Sequence, residues 1–234
     1  MIPPVTPLVI PLVIPLVTPI FRPVADRAVL VDFAAPPSPE VEAAVQALDR
    51  TLADHPFPGF AEAIPAFVTL AVVFDPLLTD HAAVTRHLQS LLTLPAAPRP
   101  VPGLHVAQIS YDPPFAPDLD EVARRTGLTP DQVIAAHLAA DYHVVMYGFA
   151  PGYAYLGGLA ESLKLDRKAA PVRNVPAGSV IIAGGQCLIT TLTMPTGWWI
   201  IGRSPTKVLT GNPARPFLFD VGDRLRFHRI PQHD

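Results

Sequence analysis

The segment from Gly148 to Pro205 constrains the fold most. It runs through GFAPGYAYLGGL, VPAGSVIIAGGQ and GWWIIGRSP, short apolar stretches cut repeatedly by glycine and proline. Eleven of the 14 glycines lie between Gly148 and Gly222, and four of the five tyrosines between Tyr142 and Tyr155, so the two types alternate in one region. Glycine admits close backbone approach and positive φ, while tyrosine carries an apolar face with a polar tip. That combination predicts short strands joined by tight turns around a binding surface. Strands are expected at 142–149, 179–183, 187–192, 198–202 and 223–229, a spacing that reads as a barrel or sandwich.

The first half has a different grain, with 21 of the 30 prolines at or before Pro117. AVLVDF (28–33) reads as a strand. Val41, Ala44, Val45, Leu48 and Leu52 keep helical spacing over 39–53, and residues 67–74 form a β-rich run. Thr79 is placed to cap a helix carrying Val84, Leu88, Leu91 and Leu92, and 104–110 reads as a further strand. This βαβαβ order suits a small α/β domain with helices on a sheet. A helical pair follows. Asp118 is expected to cap a helix over 119–126 that Gly127 ends, and Thr129-Pro130-Asp131-Gln132 combines a capping box with proline at the first helical position. The opening PLVI repeat, with proline at 7, 11, 15 and 19, is apolar, but proline in every turn removes helical hydrogen bonds. No membrane-spanning helix is expected there, and residues 1–20 are read as a disordered extension or as the product of a start codon placed too early.

Charge narrows the function. A net charge of −3 with a pI near 6.2 argues against nucleic acid as a partner. The single cysteine, Cys187, lies in an apolar run and fits a reducing compartment. No His and Cys spacing resembles a metal site. Between Tyr142 and Phe219 the acids are Glu161 and Asp166, against seven Lys and Arg residues, which favours an anionic ligand. Arg203, in IIGRSP, is the foremost candidate because its planar fork grips an oxyanion with two bonds. Gln186 closes AGGQ with both a donor and an acceptor. His137 shares an apolar helix face with Val133 and Ile134, and is at once a candidate acid/base group and a candidate core residue. Hydrolysis usually needs positioned carboxylates or a metal, and this half has almost none. Neither a GxxxxGK[ST] phosphate loop nor a GxSxG elbow is present. The pattern describes part of an active site.

The same motifs, GFAPGYAYLGG, VPAGSVIIAGGQ and GRSP in that order, resemble the allophanate hydrolase subunit 1 family, which also bears the names 5-oxoprolinase B subunit and sporulation-kinase inhibitor. The likeness extends through PVADRAVLVDF, IPAFVTLAVVFDP and PDLDEVARRTGLTPDQVIAAH upstream, and VGDRLRF downstream, covering about residues 20–230. It implies an α+β fold: a small N-terminal α/β sandwich domain (21–105) followed by a cyclophilin-like β-barrel domain (106–231). It implies a cytoplasmic component of an ATP-dependent amidohydrolase of the 5-oxoprolinase type. ATP would be a cofactor of the whole complex. The partners would be a larger chain resembling allophanate hydrolase subunit 2 or the 5-oxoprolinase C subunit, and a third chain, the A subunit. Two rival implications are a carboxyltransferase half-site in a biotin-dependent urea or amide carboxylase, and a protein that inhibits a histidine kinase.

Carried onto this chain, the resemblance gives His137, Gln186 and Arg203 catalytic roles. Ligand contacts are expected from Tyr147, Phe149, Pro151, Gly152, Tyr153 and Tyr155 in the first motif. The second supplies Arg173, Asn174, Pro176, Gly178 and Ser179, then Gly184 and Gly185, and Trp198 follows. Tyr153 and Tyr155 project to one side of an extended segment, to floor a pocket or fill the barrel. Several motif positions depart from the family pattern, with Val172-Arg173-Asn174 in place of PRT, Cys187-Leu188 after GGQ, and Thr196 where glycine is usual.

Overall fold

Strict alternation builds the first sheet: Val29 and Val31 in one segment, and Leu70, Val72 and Phe74 in another, point to one side and are fully buried. A computed structural model describes residues 18–95 and 101–231, whose contacts fall into two units, one ending at Pro100 and one beginning at Val101. In the first unit β1 (Ile20–Val24), β2 (Ala28–Asp32), β3 (Phe60–Ala66) and β4 (Thr69–Phe74) form an antiparallel sheet in the order β1-β2-β4-β3. Helices α1 (Pro39–Asp54) and α2 (His81–Leu91) bury Val41, Val45, Leu48, Leu52, Val84 and Leu88 in the same core as the inward strand residues. Ser38 caps α1 and Pro39 opens it. The cap of α2 is Asp80, whose Oδ1 accepts from the Ala83 amide at 2.7 Å, one residue beyond the expected Thr79.

Two further differences have simple causes. The unit is an antiparallel ββαββα arrangement, not βαβαβ: the sequence pattern does not announce β1 and β3, and both carry proline (Pro23, Pro65). Proline cannot donate to a ladder and is tolerated on edge strands, which is where β1 and β3 lie. The strand β5 (Leu104–Ile109), expected to complete the first domain, pairs instead in parallel with a C-terminal strand of the second unit. The contacts divide at residues 100 and 101, ahead of the expected boundary at 105. The proline repeat lies, up to residue 17, outside the described residues, and Ile20 already pairs with Asp32.

In the second unit α3 (Leu119–Thr126) and α4 (Pro130–Ala139) precede β6 (Tyr142–Tyr147), β7 (Ala154–Gly157), β8 (Val172–Val175), β9 (Ser179–Ala183), β10 (Gln186–Ile189), β11 (Met194–Thr196), β12 (Trp199–Arg203) and β13 (Arg224–Arg229). Seven strands form one sheet, β12-β9-β10-β7-β6-β13-β5, and β8 pairs separately with β11. The two edges of the large sheet meet at a single antiparallel bridge between Ser110 and Arg203, giving a nearly closed barrel. This is the mixed α and β architecture expected. Alternate residues serve two cores. Leu156, Val180, Ile182, Cys187, Ile189 and Ile201 face an inner core shared with Val122, Val133 and Ile134 of the helices. Their neighbours Tyr153, Ile181, Leu188 and Ile200 face a second core covered by Val175 and Met194. Apolar residues on both faces explain why these strands read as continuous apolar runs.

The helix ends show where sequence signals compete. Thr129 and Gln132 form the expected capping box, with bonds of 3.2 and 2.9 Å, and Gly127 ends α3 in the left-handed conformation. Asp118 does not cap α3 with its side chain. Its Oδ2 instead receives the Lys168 ammonium and the Ile200 amide, the latter at 2.6 Å. The Asp118 amide in turn donates to the Ile200 carbonyl, so the start of α3 is tied to β12.

A second buried carboxylate sets an acid limit on stability. Asp223 is pushed upward by burial, but hydrogen bonds from the Asp220 amide (2.9 Å), His105 Nε2 (2.8 Å) and the Gly103 amide (2.7 Å) outweigh that and hold its carboxyl below the usual aspartate range. A depressed native pKa contributes stability above the unfolded value, ~4, and loses it as pH falls through the native value. Asp223→Asn is therefore expected to be less stable than the parent at pH 7, with the gap closing below about pH 4. Urea titrations across pH 3–7 check this, and a gap constant over that range would assign the loss to shape alone.

Candidate functional site at the barrel seam

Residue Arg203 ends β12 at the seam. Its amide donates to the Ser110 carbonyl at 2.9 Å and its carbonyl accepts from the Ser110 amide at 2.8 Å. Pro205, two residues on, has no amide proton with which to extend the ladder. Beside this seam lies a cavity of about 580 Å³, lined by Ser110, Phe115, Ala177, Gly178, Thr190, Thr191, the run 203–209 and Ile230. Its size falls within the range of small-molecule sites, roughly 300–1,000 Å³.

The VPAGS loop crosses one wall. Gly178 has φ +85°, a Cβ there would stand 2.7 Å from the Ser204 carbonyl oxygen, and its own carbonyl accepts from the Ser204 amide at 2.7 Å. Only glycine meets both conditions without strain. Thr190 and Thr191 are tied outward: Thr190 Oγ1 donates to Pro176 O at 2.9 Å, and Thr191 Oγ1 to Pro151 O at 2.6 Å. The Arg203 guanidinium lies 5.5 Å from the Phe115 ring centroid and reaches the Ala177 carbonyl only at 3.4 Å. Among the described residues no Asp, Glu, His or Cys lines the cavity. Chemically it offers cations, hydroxyls and apolar surface, with no carboxylate, imidazole or thiol among the described residues.

The expected site residues divide by place. Arg203 and Gly178 line the cavity. Pro151, Gly152, Pro176 and Ser179 stand behind its walls: Gly152 packs against Leu209 and Thr191, and Ser179 Oγ donates to Pro176 O at 2.8 Å. Tyr153, Tyr155 and Trp198 belong to the second core, where Tyr155 and Trp198 meet edge to face at 5.9 Å and Tyr153 O–H donates to Met194 Sδ. They fill the barrel wall and do not line the cavity. Phe149, at φ 68°, is 77% exposed and touches Tyr153 at 5.7 Å between centroids. Tyr147 is spent on the fold, stacking on Phe217 and donating to Phe219 O at 2.8 Å.

Gly184 and Gly185 make the β9–β10 turn beside Leu165 and Lys164, with Gln186 the first residue of β10. Arg173 and Asn174 are exposed on β8. None of these five lines the cavity.

His137 requires a correction. It is 0% exposed, within ring contact of Tyr111, Tyr142 and Phe227, with Nδ1 2.7 Å from Tyr111 Oη and Nε2 3.5 Å from Cys187 Sγ. Burial pulls its pKa down to about 3, so the ring is neutral at physiological pH. The same burial pushes the Cys187 thiol up. A sealed, satisfied imidazole is a core group, and the acid/base expectation fails for it. Sequence reading misses Ser110, Phe115, Ser204, Thr206, Lys207, Val208, Leu209 and Ile230. The hydroxyl-rich SPTK run after Arg203 is the available signal, whereas Ser110 enters only through seam pairing. Among the described residues no three His, Cys, Asp or Glu side chains converge as a metal would require, and no helix is long and apolar enough to cross a membrane.

Comparison with known proteins agrees with this fold. A sequence model of the carboxyltransferase domain, subdomains C and D, matches residues 19–219. The 5-oxoprolinase B subunit of Bacillus subtilis (strain 168) is 34% identical over 222 residues, covering 90% of this chain and 92% of the relative. Among solved structures, TTHA0988 superposes with a TM-score of 0.77 at 32% identity over 89% of this chain, which spans 41% of that longer one. The Kluyveromyces lactis urea amidolyase superposes with a TM-score of 0.77 at 14% identity, over 91% of this chain and 15% of that one, a likeness of fold. The two-unit architecture, the motif order and these matches together place the chain in the family of carboxyltransferase domains, subdomains C and D, alongside the 5-oxoprolinase B subunits.

Proposed function

We propose that this chain is the B subunit of a cytoplasmic, ATP-dependent amidohydrolase of the 5-oxoprolinase type, and that it forms an active site only with a larger C-like subunit and a third, A-like subunit. The composition of the seam cavity carries the reading. Arg203 and Lys207 line it with hydroxyls and apolar groups, while no carboxylate, imidazole or thiol among the described residues does. Opening an amide usually takes positioned carboxylates, an imidazole or a metal, which supports a reading in which a partner supplies them. The relative's name, that of a B subunit, agrees with an assembly of several chains. ATP, which the family resemblance implies, would then serve the complex as a whole.

The isolated chain is expected to release no ADP with 5-oxoproline, urea or allophanate, and co-expression with the two partner subunits is expected to restore turnover on one of them. Robust turnover by the chain alone would falsify the split site. A second reading, a carboxyltransferase half-site serving a biotin-dependent carboxylase, is favoured by the matched domain itself. Turnover that required bicarbonate and a biotinylated carrier would select it over the first.

A further inference from the structure

We infer that the open edge of β5 is a docking site for an extended, glutamate-bearing segment of a partner polypeptide, which adds to the seven-stranded sheet as a further strand. The inference stands on this edge alone and does not depend on the proposed function. In the parallel β5–β13 ladder the Arg224 amide donates to the Gly103 carbonyl at 2.8 Å, and the Ile230 amide to the Ile109 carbonyl at 2.9 Å. The odd-numbered residues of β5 therefore spend their backbone groups on β13, and the even-numbered ones turn to the other side. There the Gln108 amide donates to Thr206 Oγ1 at 3.2 Å, and the bridge to Arg203 takes only Ser110. The amides and carbonyls of Leu104 and Val106 face the same edge with no backbone partner among the described residues.

Other strand edges of the molecule are guarded. Pro23 and Pro65 lie in β1 and β3, the two edges of the first sheet, and Pro195 lies in β11 of the two-stranded sheet. An open edge invites pairing with another chain, and proline, charge or a bulge is the usual guard. The β5 sequence, LHVAQI, has no proline, lysine, arginine or acid, and its register with β13 is unbroken. Its outward side chains are apolar, with Leu104 69% and Val106 64% exposed.

Charge says which strand fits. Arg224 and Arg226 of β13 stand beside Leu104 and Val106 in register. Arg226 donates to Asp141 at 2.9 Å, whereas Arg224 has no acidic partner among the described residues. A strand added to β5 lies two strand spacings, roughly 10 Å, from β13. A glutamate on its outward face spans that gap, with its methylenes over Leu104 or Val106 and its carboxylate at an arginine. A lysine there meets like charge. A second copy of β5 brings no acid, because its own sequence has none. Main-chain bonds give such an added strand its hold, and glutamates at alternate positions give it specificity.

The test titrates the full chain with a fluorescent, end-capped peptide of alternating glutamate and valine, against a lysine-valine peptide of the same length. Hydrogen exchange is read residue by residue along β5 in the same samples. In the free chain the Leu104 and Val106 amides are expected to exchange fast and those of His105 and Ala107 slowly. The glutamate-valine peptide is expected to bind at least about tenfold more tightly than its lysine counterpart, and to slow exchange at Leu104 and Val106. Arg224→Glu, on an exposed side chain, is expected to weaken the glutamate peptide about tenfold or more and to favour the lysine peptide, with the melting temperature held. Absence of binding by the glutamate peptide, equal binding of the two peptides, or an unchanged preference in Arg224→Glu would each overturn the inference. Leu104 and Val106 amides already protected in a free monomer would also overturn it, since the edge would then be covered. A dimer in solution with those amides protected would give the edge to a second copy of this chain, and would sink the partner strand equally.

Discussion

Replacing Asp118 with alanine is expected to lower the stability of the second unit by about 3 kcal/mol, the low end of the cost of breaking a buried ion pair. The side chains of Asp118 and Lys168 are 17% and 11% exposed, so neither ion is replaced by water when its partner goes. The same carboxylate oxygen holds the Ile200 amide, and the Lys168 ammonium sits 5.3 Å over the Trp199 ring. Alanine therefore leaves a nearly buried ammonium and a β12 amide without their acceptor at one stroke. Asp118→Asn can retain the amide bond while losing the charge, and is expected to fall between parent and alanine. Lys168→Met removes the stranded cation, so adding it to Asp118→Asn should cost less than the two single losses summed. For a chain of this size about 3 kcal/mol corresponds to a fall of roughly 6–12 °C in melting temperature. Urea unfolding of the four variants measures the cycle, and additive losses would show that the two side chains do not act as a pair.

That pair also marks how far sequence can go. Asp118 precedes a helix and carries the residue type of a cap, and local pattern gives no reason to prefer Lys168, far along the chain, over the α3 amides. Burial decides it, because an ammonium trapped between α3 and Trp199 needs an anion more than an exposed helix end does. Thr129 has no such rival, and its capping box forms as the sequence suggests. Helices α1 and α2 are legible for the same reason: Val41 to Leu52 and Val84 to Leu91 keep a helical period that one core satisfies. The strands missed, β1 and β3, hide behind Pro23 and Pro65, whose meaning changes once a strand is known to lie at an edge.

The site is legible in outline and not in detail. Charge counting over the barrel half points to an anion and to Arg203, and Arg203 does line the cavity. The aromatic residues of GFAPGYAYLGG carry the same weight in the sequence, yet Tyr153 and Tyr155 pack with Trp198 into the second core. Their alternation shows that they share a face, but composition cannot say whether that face meets a ligand or a covering hairpin. Here Val175 and Met194, on β8 and β11, cover it. His137 fails similarly: its helical face is plain, and only the packing of Tyr111, Tyr142 and Phe227 around it shows that the face is sealed. Ser110 is beyond reach, since it joins the site through a bridge to Arg203, in a distant part of the chain.

The closure itself is expected to fail on adding one methyl group. A Cβ at Gly202 would stand 2.7 Å from Ile109 Cδ1 and 2.8 Å from the Ser110 carbonyl oxygen. The first contact is with the end of a fully buried side chain, and the second is with the backbone acceptor that takes the Arg203 amide across the seam. Gly202→Ala must therefore push β5 away from β12 or force Ile109 into the inner core. Its cost is expected near the upper end for overpacking, about 3 kcal/mol. The seam amides of Ser110 and Arg203 are expected to lose hydrogen-exchange protection beyond that global loss. Ile109→Val removes the nearest side-chain atom and by itself costs roughly 0.5–1.5 kcal/mol. Combined with Gly202→Ala it is expected to restore stability only in part, because the clash with the Ser110 carbonyl remains. Displacing Arg203 should also alter the wall of the seam cavity, which that residue lines, in the double variant, even where its melting temperature approaches that of Ile109→Val alone. Full recovery of both stability and seam protection in the double variant would place the whole obstacle in the Ile109 side chain. Closure of the barrel would then not depend on glycine at position 202.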